Sequence, residues 1–161
     1  MKSKICILML MLCRCAFSQG STVLPNGNST LSATFGSERV RVQFHTSTVD
    51  AISPASANRK FAQCTYSRSP CSLTGSIEIF WGAYEVFIPR SAYADLGDIS
   101  TAHLTMSGNV IVLTIQGGDA SESYIAKLRF NKQRVLSRQI YSSDDLIHPL
   151  EVSQYYITTT N

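Results

Sequence analysis

The sequence predicts an all-β protein, an antiparallel β-sandwich or small β-barrel built from hairpins, with at most one short helical turn. Three observations support this prediction. Apolar and polar residues alternate along several short segments, two-residue turns containing glycine separate pairs of these segments, and no segment keeps a helical period. Short strands joined by tight turns are typical of sandwiches and barrels.

The first 18 residues are predicted to form a cleaved secretory signal peptide. Lys2 and Lys4 precede an apolar run from Ile5 to Leu12, and Ala16-Phe17-Ser18 fits the small-x-small pattern of a cleavage site. The run is far shorter than the roughly 20 residues that cross a bilayer, so we expect no transmembrane segment.

Lipid attachment at Cys13 is disfavoured, because the large residues Met11 and Leu12 stand where lipid-attachment signals carry small ones. We therefore expect a periplasmic or extracellular protein.

The leader also accounts for the net charge. The chain has 14 basic and 11 acidic residues, and three of the basic ones, Lys2, Lys4 and Arg14, lie in the leader. The remaining chain is therefore neutral, which argues against nucleic acid or an anionic membrane as a partner.

Two of the five cysteines, Cys64 and Cys71, follow the leader. In an oxidising compartment such a pair predicts one disulfide, and six intervening residues disfavour a C-x-x-C redox centre. A loop of this size would stabilise the fold by about 2–3 kcal/mol. Tyr66 and Arg68 lie inside the loop and are candidate partner contacts.

Residues 19–32 are rich in Gly, Ser, Thr and Asn and are expected to form a loose arm, whereas residues 33–161 are expected to form one β domain. The first strand is indicated by Val40, Val42 and Phe44, which alternate with polar residues. Residues 46–59 lose this pattern and are interpreted as a loop.

Two hairpins are predicted in detail. A turn at Gly82-Ala83 sets Trp81 opposite Tyr84, and glycine at its first position suits a type II′ turn. The register continues through Ile79–Val86, Glu78–Phe87 and Ile77–Ile88. A second turn at Gly108-Asn109 pairs Met106 with Ile111, Leu104 with Leu113 and Ala102 with Ile115.

The remaining elements are shorter. Residues 91–96 are expected to form one helical turn capped by Ser91. Strands are predicted at 124–130 and 134–141, and a last strand runs from about Leu150 to Ile157.

The sequence contains no catalytic or metal-binding motif that we recognise. His45, His103 and His148 stand in separate segments, so we expect neither a metal nor a cofactor. Serines are abundant, but no G-x-S-x-G elbow is present.

Two sets of residues are further candidate partner contacts. Phe80 and Phe87 lie on the second face of the first hairpin. The basic set within 124–141 either binds an anionic partner or forms a solvated face opposed by Asp144, Asp145 and Glu151. A two-residue and a three-residue turn place Arg138 on opposite faces. This set comprises Lys127, Arg129, Lys132, Arg134 and Arg138.

The stretches Gly117-Gly-Asp-Ala-Ser-Glu-Ser-Tyr124, Leu128-Arg-Phe-Asn-Lys-Gln-Arg-Val135 and Arg138-Gln-Ile-Tyr141, together with Ile88-Pro-Arg-Ser-Ala-Tyr-Ala-Asp-Leu96, resemble a group of small exported bacterial proteins. The resemblance covers roughly the second half of the chain. It implies export from a bacterium and assigns no activity.

The leading hypothesis is an exported, non-enzymatic protein that binds an unknown protein or an envelope polymer, for example as an inhibitor or immunity-type partner of a secreted enzyme. One alternative is a carrier with an apolar ligand inside a barrel, and another is an envelope-polymer hydrolase. The carrier would hold its ligand among Trp81, Tyr84, Met106 and Tyr124. The oligomeric state stays open at this point.

Overall fold

The computed structural model describes residues 19–23, 25–49 and 70–157. Within these ranges ten strands form two antiparallel sheets, which stack as a sandwich and do not close into a barrel. The strands are β1 (Gln19–Thr22), β2 (Gly27–Phe35), β3 (Glu38–Val49), β4 (Cys71–Trp81), β5 (Tyr84–Val86), β6 (Thr101–Ser107), β7 (Val110–Gly117), β8 (Tyr124–Phe130), β9 (Val135–Ser142) and β10 (Glu151–Gln154).

The larger sheet has the order β1-β6-β7-β8-β9-β10, and the smaller one has the order β2-β3-β4-β5. Along the strands, apolar side chains that face the other sheet alternate with more polar side chains on the outer face. The inward side chains of both sheets form one core. At one end of this core the ring of Trp81 meets that of Phe130 edge to face at 6.1 Å between centroids. The all-β prediction is confirmed, and the alternative of a barrel is not adopted.

Both predicted hairpin turns are present with the predicted pairs next to them. Trp81 pairs with Tyr84, and Met106 pairs with Ile111. Gly82 and Gly108 have φ values of +62° and +61°, which glycine adopts at little cost. Turn chemistry and strand period were thus sufficient to set these registers.

The first hairpin is shorter than predicted, and the expected pairs Glu78–Phe87 and Ile77–Ile88 do not form. After Val86 the chain leaves the smaller sheet, and Phe87 forms a bridge to Arg134, the residue just before β9 of the larger sheet. The amide of Phe87 donates to the carbonyl of Gln133 at 2.9 Å. Pro89 follows and has no amide to continue a strand.

Three other local expectations need correction. Residues 19–32, expected as a loose arm, contain β1 and the start of β2, because β6 and β3 supply hydrogen-bonding partners from distant parts of the chain. Strand β3 continues to Val49, into the predicted loop at 46–59. The helical turn is a 3-10 turn at Arg90–Ala92, so it begins before Ser91 and has no side-chain cap.

The second half of the structure agrees more closely with the strands predicted from the sequence. Strands β8 and β9 lie where strands were predicted, whereas β10 spans only Glu151–Gln154 of the predicted segment 150–157. In the described part of the chain both helices are single 3-10 turns, and neither has the length or apolar character to span a bilayer.

Candidate functional site

A cleft of about 960 Å³ opens where the edges of both sheets meet the segment that follows β5. Strands β3 and β4 form one wall, and β9 and β10 form the other. Its volume is in the range of ligand sites in proteins. We call it the Arg138 cleft; its polar lining includes Ser47, Thr74, Arg90, Asp95, Arg138, Glu151 and Tyr155.

Arg138 reaches the cleft because of one irregularity in the pairing of β8 with β9. Arg129 lies opposite Ser137 but Phe130 lies opposite Val135, so Leu136 has no opposite residue. Such a bulge shifts the alternation of side chains by one position. As a result Arg138 lies opposite Leu128 and points between the sheets, with only 4% of its side chain exposed.

Two acidic side chains and one carbonyl hold the guanidinium of Arg138. Its Nη1 donates to Asp95 Oδ1 at 2.6 Å and to the Ser91 carbonyl at 2.9 Å, and its Nη2 donates to Asp95 Oδ2. Glu151 Oε2 is farther from Nη2, at 3.4 Å. The contact with Asp95 is therefore bidentate and charge-assisted, whereas the contact with Glu151 is weak.

The pKa values follow from this geometry. Burial alone would raise the pKa of Asp95, but its hydrogen bonds with Arg138 and the charge of the guanidinium lower it overall. Burial likewise opposes the charged form of Arg138, yet Asp95 and then Glu151 raise the pKa of the guanidinium. Both partners of the pair are therefore charged at neutral pH.

The backbone around Asp95 is fixed by β4. Gly97 forms a bridge to Leu73, and the amide of Asp98 donates to the Ser72 carbonyl at 2.8 Å. The amide of Ser72 donates in return to Asp98 Oδ1 at 2.8 Å. Asp95 is thus held by contacts from one sheet while it binds an arginine of the other.

Hydrogen bonds also fix the wall of the cleft that β10 forms. Ser153 Oγ donates to Glu151 Oε1 at 2.7 Å, and Arg134 Nη1 donates to the Tyr155 carbonyl at 2.9 Å. Partial burial raises the pKa of Tyr155, while a hydrogen bond with Ser91 acts against this. The phenol is therefore neutral at physiological pH.

The charges of the lining are balanced. Arg90 and Arg138 are opposed by Asp95 and Glu151, whose side chains are 52% and 44% exposed. The two carboxylates can therefore accept hydrogen bonds from a ligand, while Arg138 holds Asp95 in place and Ser153 holds Glu151. Serine, glutamine and tyrosine side chains add neutral donors and acceptors.

The structure separates the predicted basic set. Lys127 lies on the outer face with its Nζ 4.5 Å from the centre of the Tyr141 ring, and Arg129 is exposed on the same face. Lys132 pairs with Glu38 at the far end of the sandwich. Only Arg138 reaches the cleft, with Arg134 behind the end of β10.

The aromatic candidates lie elsewhere. Phe80 is partly covered by Arg41, whose guanidinium carbon lies 4.5 Å from the centre of the ring, and Phe87 is 61% exposed. Cys71, the first residue of β4, is fully buried. Cys64, Tyr66 and Arg68 lie outside the described residues.

The four residues proposed to surround a carrier's ligand do not share an interior. Trp81 packs in the core, whereas Tyr84 and Met106 are 64% and 41% exposed. The hydroxyl of Tyr124 donates to the Gly97 carbonyl at 2.8 Å. This arrangement gives the carrier hypothesis no support.

The sequence indicated Arg138 as a candidate contact but carried no signal that Asp95 and Tyr155 belong to the same site. It placed Glu151 among the acids near the basic set, which is the one signal that pointed toward the cleft. No group of three or more His, Cys, Asp or Glu side chains in the described ranges is arranged to hold a metal ion.

Comparison with protein-family models, curated proteins and solved structures finds no match to this chain.

Proposed function

We propose that the protein is an exported, non-enzymatic binding protein of the bacterial envelope or the extracellular space, and that the Arg138 cleft binds an uncharged, hydroxyl-rich polymer such as an envelope glycan. The observation that carries the proposal is the buried Arg138, which fixes Asp95 at the cleft and lies beside Glu151. A rigid set of charged hydrogen-bonding groups lowers the entropic cost of binding a polar ligand.

The composition of the cleft favours a polar polymer over an apolar ligand or a protein surface. Protein interfaces are usually centred on aromatic or other apolar anchors in dry pockets. Here the walls carry two arginines, two carboxylates and several neutral polar side chains, with Tyr155 as the one aromatic residue. Hydroxyl groups can both donate to the carboxylates and accept from arginine, serine and glutamine.

The electrostatics of Asp95 favour hydrogen bonding over general-acid catalysis. A glycosidase uses one carboxyl group as a general acid, and this requires a raised pKa. The arginine beside Asp95 lowers the pKa of that carboxyl group. Asp95 is therefore suited to accept hydrogen bonds and poorly suited to protonate a leaving group.

The experiment is calorimetric titration of the purified protein with soluble glycan fragments from a bacterial envelope. Glu151→Gln should weaken binding about tenfold, the effect of losing one hydrogen bond to a charged group, because Glu151 is 44% exposed in the cleft and is only loosely tied to Arg138. Glu85→Gln is the matched control, since Glu85 is an exposed glutamate on β5, away from the cleft.

Equal binding by the two variants would contradict the proposal, as would no binding by the unmodified protein. Glycan release with turnover would instead support the hydrolase, and recovery of a protein partner without glycan would support an inhibitor. Export itself can be checked by N-terminal sequencing of the secreted product, which should begin near Gln19.

A further inference from the structure

Strand β10 is an edge strand of the larger sheet. Within the described residues it pairs only with β9, so its other side carries backbone groups that no strand contacts. The amide of Tyr155 donates to the Leu136 carbonyl at 2.9 Å. Because donors alternate along an antiparallel strand, the backbone groups of Val152 and Gln154 point toward the free edge.

Exposed apolar side chains accompany this edge. Val152 is 53% exposed, and Leu150 and Tyr156 on either side are 72% and 82% exposed. No lysine, arginine or proline lies between residues 150 and 157 to block pairing. A free edge with exposed apolar residues and no lysine, arginine or proline favours pairing with another strand.

We propose that β10 pairs antiparallel with β10 of a second copy of this chain, about a two-fold axis at Ser153. This register uses every outward-pointing backbone group of β10: Val152 of each copy bonds with Gln154 of the other, giving four hydrogen bonds. It also brings Leu150 toward Tyr156 of the other copy, just beyond the ends of the paired strands. The larger sheets of the two copies become one continuous sheet.

The charges along β10 are compatible with pairing to the same strand of a second copy. In this register Glu151 lies opposite Tyr155 of the other copy, so no like charges face each other across the edge. The strip is therefore self-complementary, as a two-fold interface requires.

The same pairing brings the two clefts together. Glu151, Ser153 and Tyr155 alternate with the outward-pointing residues, and all three line the Arg138 cleft. At the two-fold axis the Ser153 residues of the two copies become neighbours. The two clefts then form one longer groove, although the dimer does not depend on the proposed function.

Molar mass by light scattering after size exclusion tests the pairing. The protein should elute as a dimer, and Val152→Lys and Gln154→Pro should each halve the molar mass, because one adds a charge and the other removes an outward-pointing amide. Tyr84→Lys is the matched control: Tyr84 is 64% exposed on β5, the edge of the smaller sheet, and this variant should remain a dimer. Circular dichroism should show that all three variants are folded.

Cysteine cross-linking tests the register. Ser153→Cys should form an interchain disulfide under mild oxidation, because residues at a non-hydrogen-bonded pair have Cα atoms about 4.5 Å apart. Gln154→Cys should not cross-link, since its opposite residue is Val152. A monomeric wild-type protein at all concentrations, a dimer unchanged by both β10 variants, or equal cross-linking by both cysteines would overturn the inference. If glycan binding by the monomer persists, only the dimer is refuted.

Discussion

Removing Asp95 should destabilise the protein more than removing the arginine that it binds. In Asp95→Ala, Arg138 keeps the Ser91 carbonyl and the 3.4 Å contact with Glu151 but loses both bonds to Asp95. Its side chain is 4% exposed, so water cannot readily replace them. Breaking a buried ion pair in this way costs about 3–5 kcal/mol.

That range must be reduced here, because the side chain of Asp95 is 52% exposed and the pair is partly screened by solvent. We therefore expect Asp95→Ala to lower the free energy of unfolding by about 2–3 kcal/mol, a fall of about 6–10 °C in melting temperature. Arg138→Met should cost less than about 1 kcal/mol, because methionine suits the buried position and Asp95 can be hydrated.

Urea denaturation of both variants and of the double variant provides the assay. The double variant should be more stable than Asp95→Ala alone, since it no longer contains a buried charge without its partner. If Arg138→Met is at least as damaging as Asp95→Ala, or the double variant shows simple additivity, the interpretation of Arg138 as a costly buried charge is wrong.

Four further predictions concern pH, a core residue, a turn glycine and the disulfide. Folding lowers the pKa of Asp95. The carboxylate therefore contributes its full stabilisation above about pH 4, and this contribution is lost as the pH falls through the pKa of the folded state. In acid titrations the stability difference between wild type and Asp95→Asn should therefore shrink below about pH 4; a constant difference would contradict this. Phe130→Ala should cost about 3–5 kcal/mol in urea denaturation, because Phe130 is fully buried. Gly82→Ala should cost only about 1–2 kcal/mol, since its φ is +62° but a methyl group there meets no atom within 4 Å. Intact mass before and after reduction should show the disulfide predicted for Cys64 and Cys71, and its reduction should lower the free energy of unfolding by about 2–3 kcal/mol; two free thiols in the purified protein would refute it.

The elements that the sequence predicted well are those specified by neighbouring residues. The turns at Gly82 and Gly108 need only a glycine and the alternating residues beside it. Strand β1 was missed because its polar residues carry no local signal, and its pairing comes from β6. Long-range hydrogen bonds thus override a composition that is typical of a loose segment.

The candidate site was harder to predict for the same reason. The direction of Arg138 depends on Leu136, which has no opposite residue in β8, and this bulge leaves no mark in the alternation of residues. Asp95 meets Arg138 only when the two sheets stack, and its own segment suggests nothing more than a helical turn. A site assembled from both sheets therefore could not be predicted from the hydrophobic period and the motifs of the sequence.

The position of β1 has a consequence for the order of folding. Gln19 pairs with Leu104, so the first strand of the larger sheet must wait for β6 before it acquires a partner. Contacts between residues so distant in sequence form slowly, because a long loop must close before any hydrogen bond is gained. In pulsed hydrogen exchange during refolding, we expect the amides of β1 to gain protection after those of the β6–β7 hairpin.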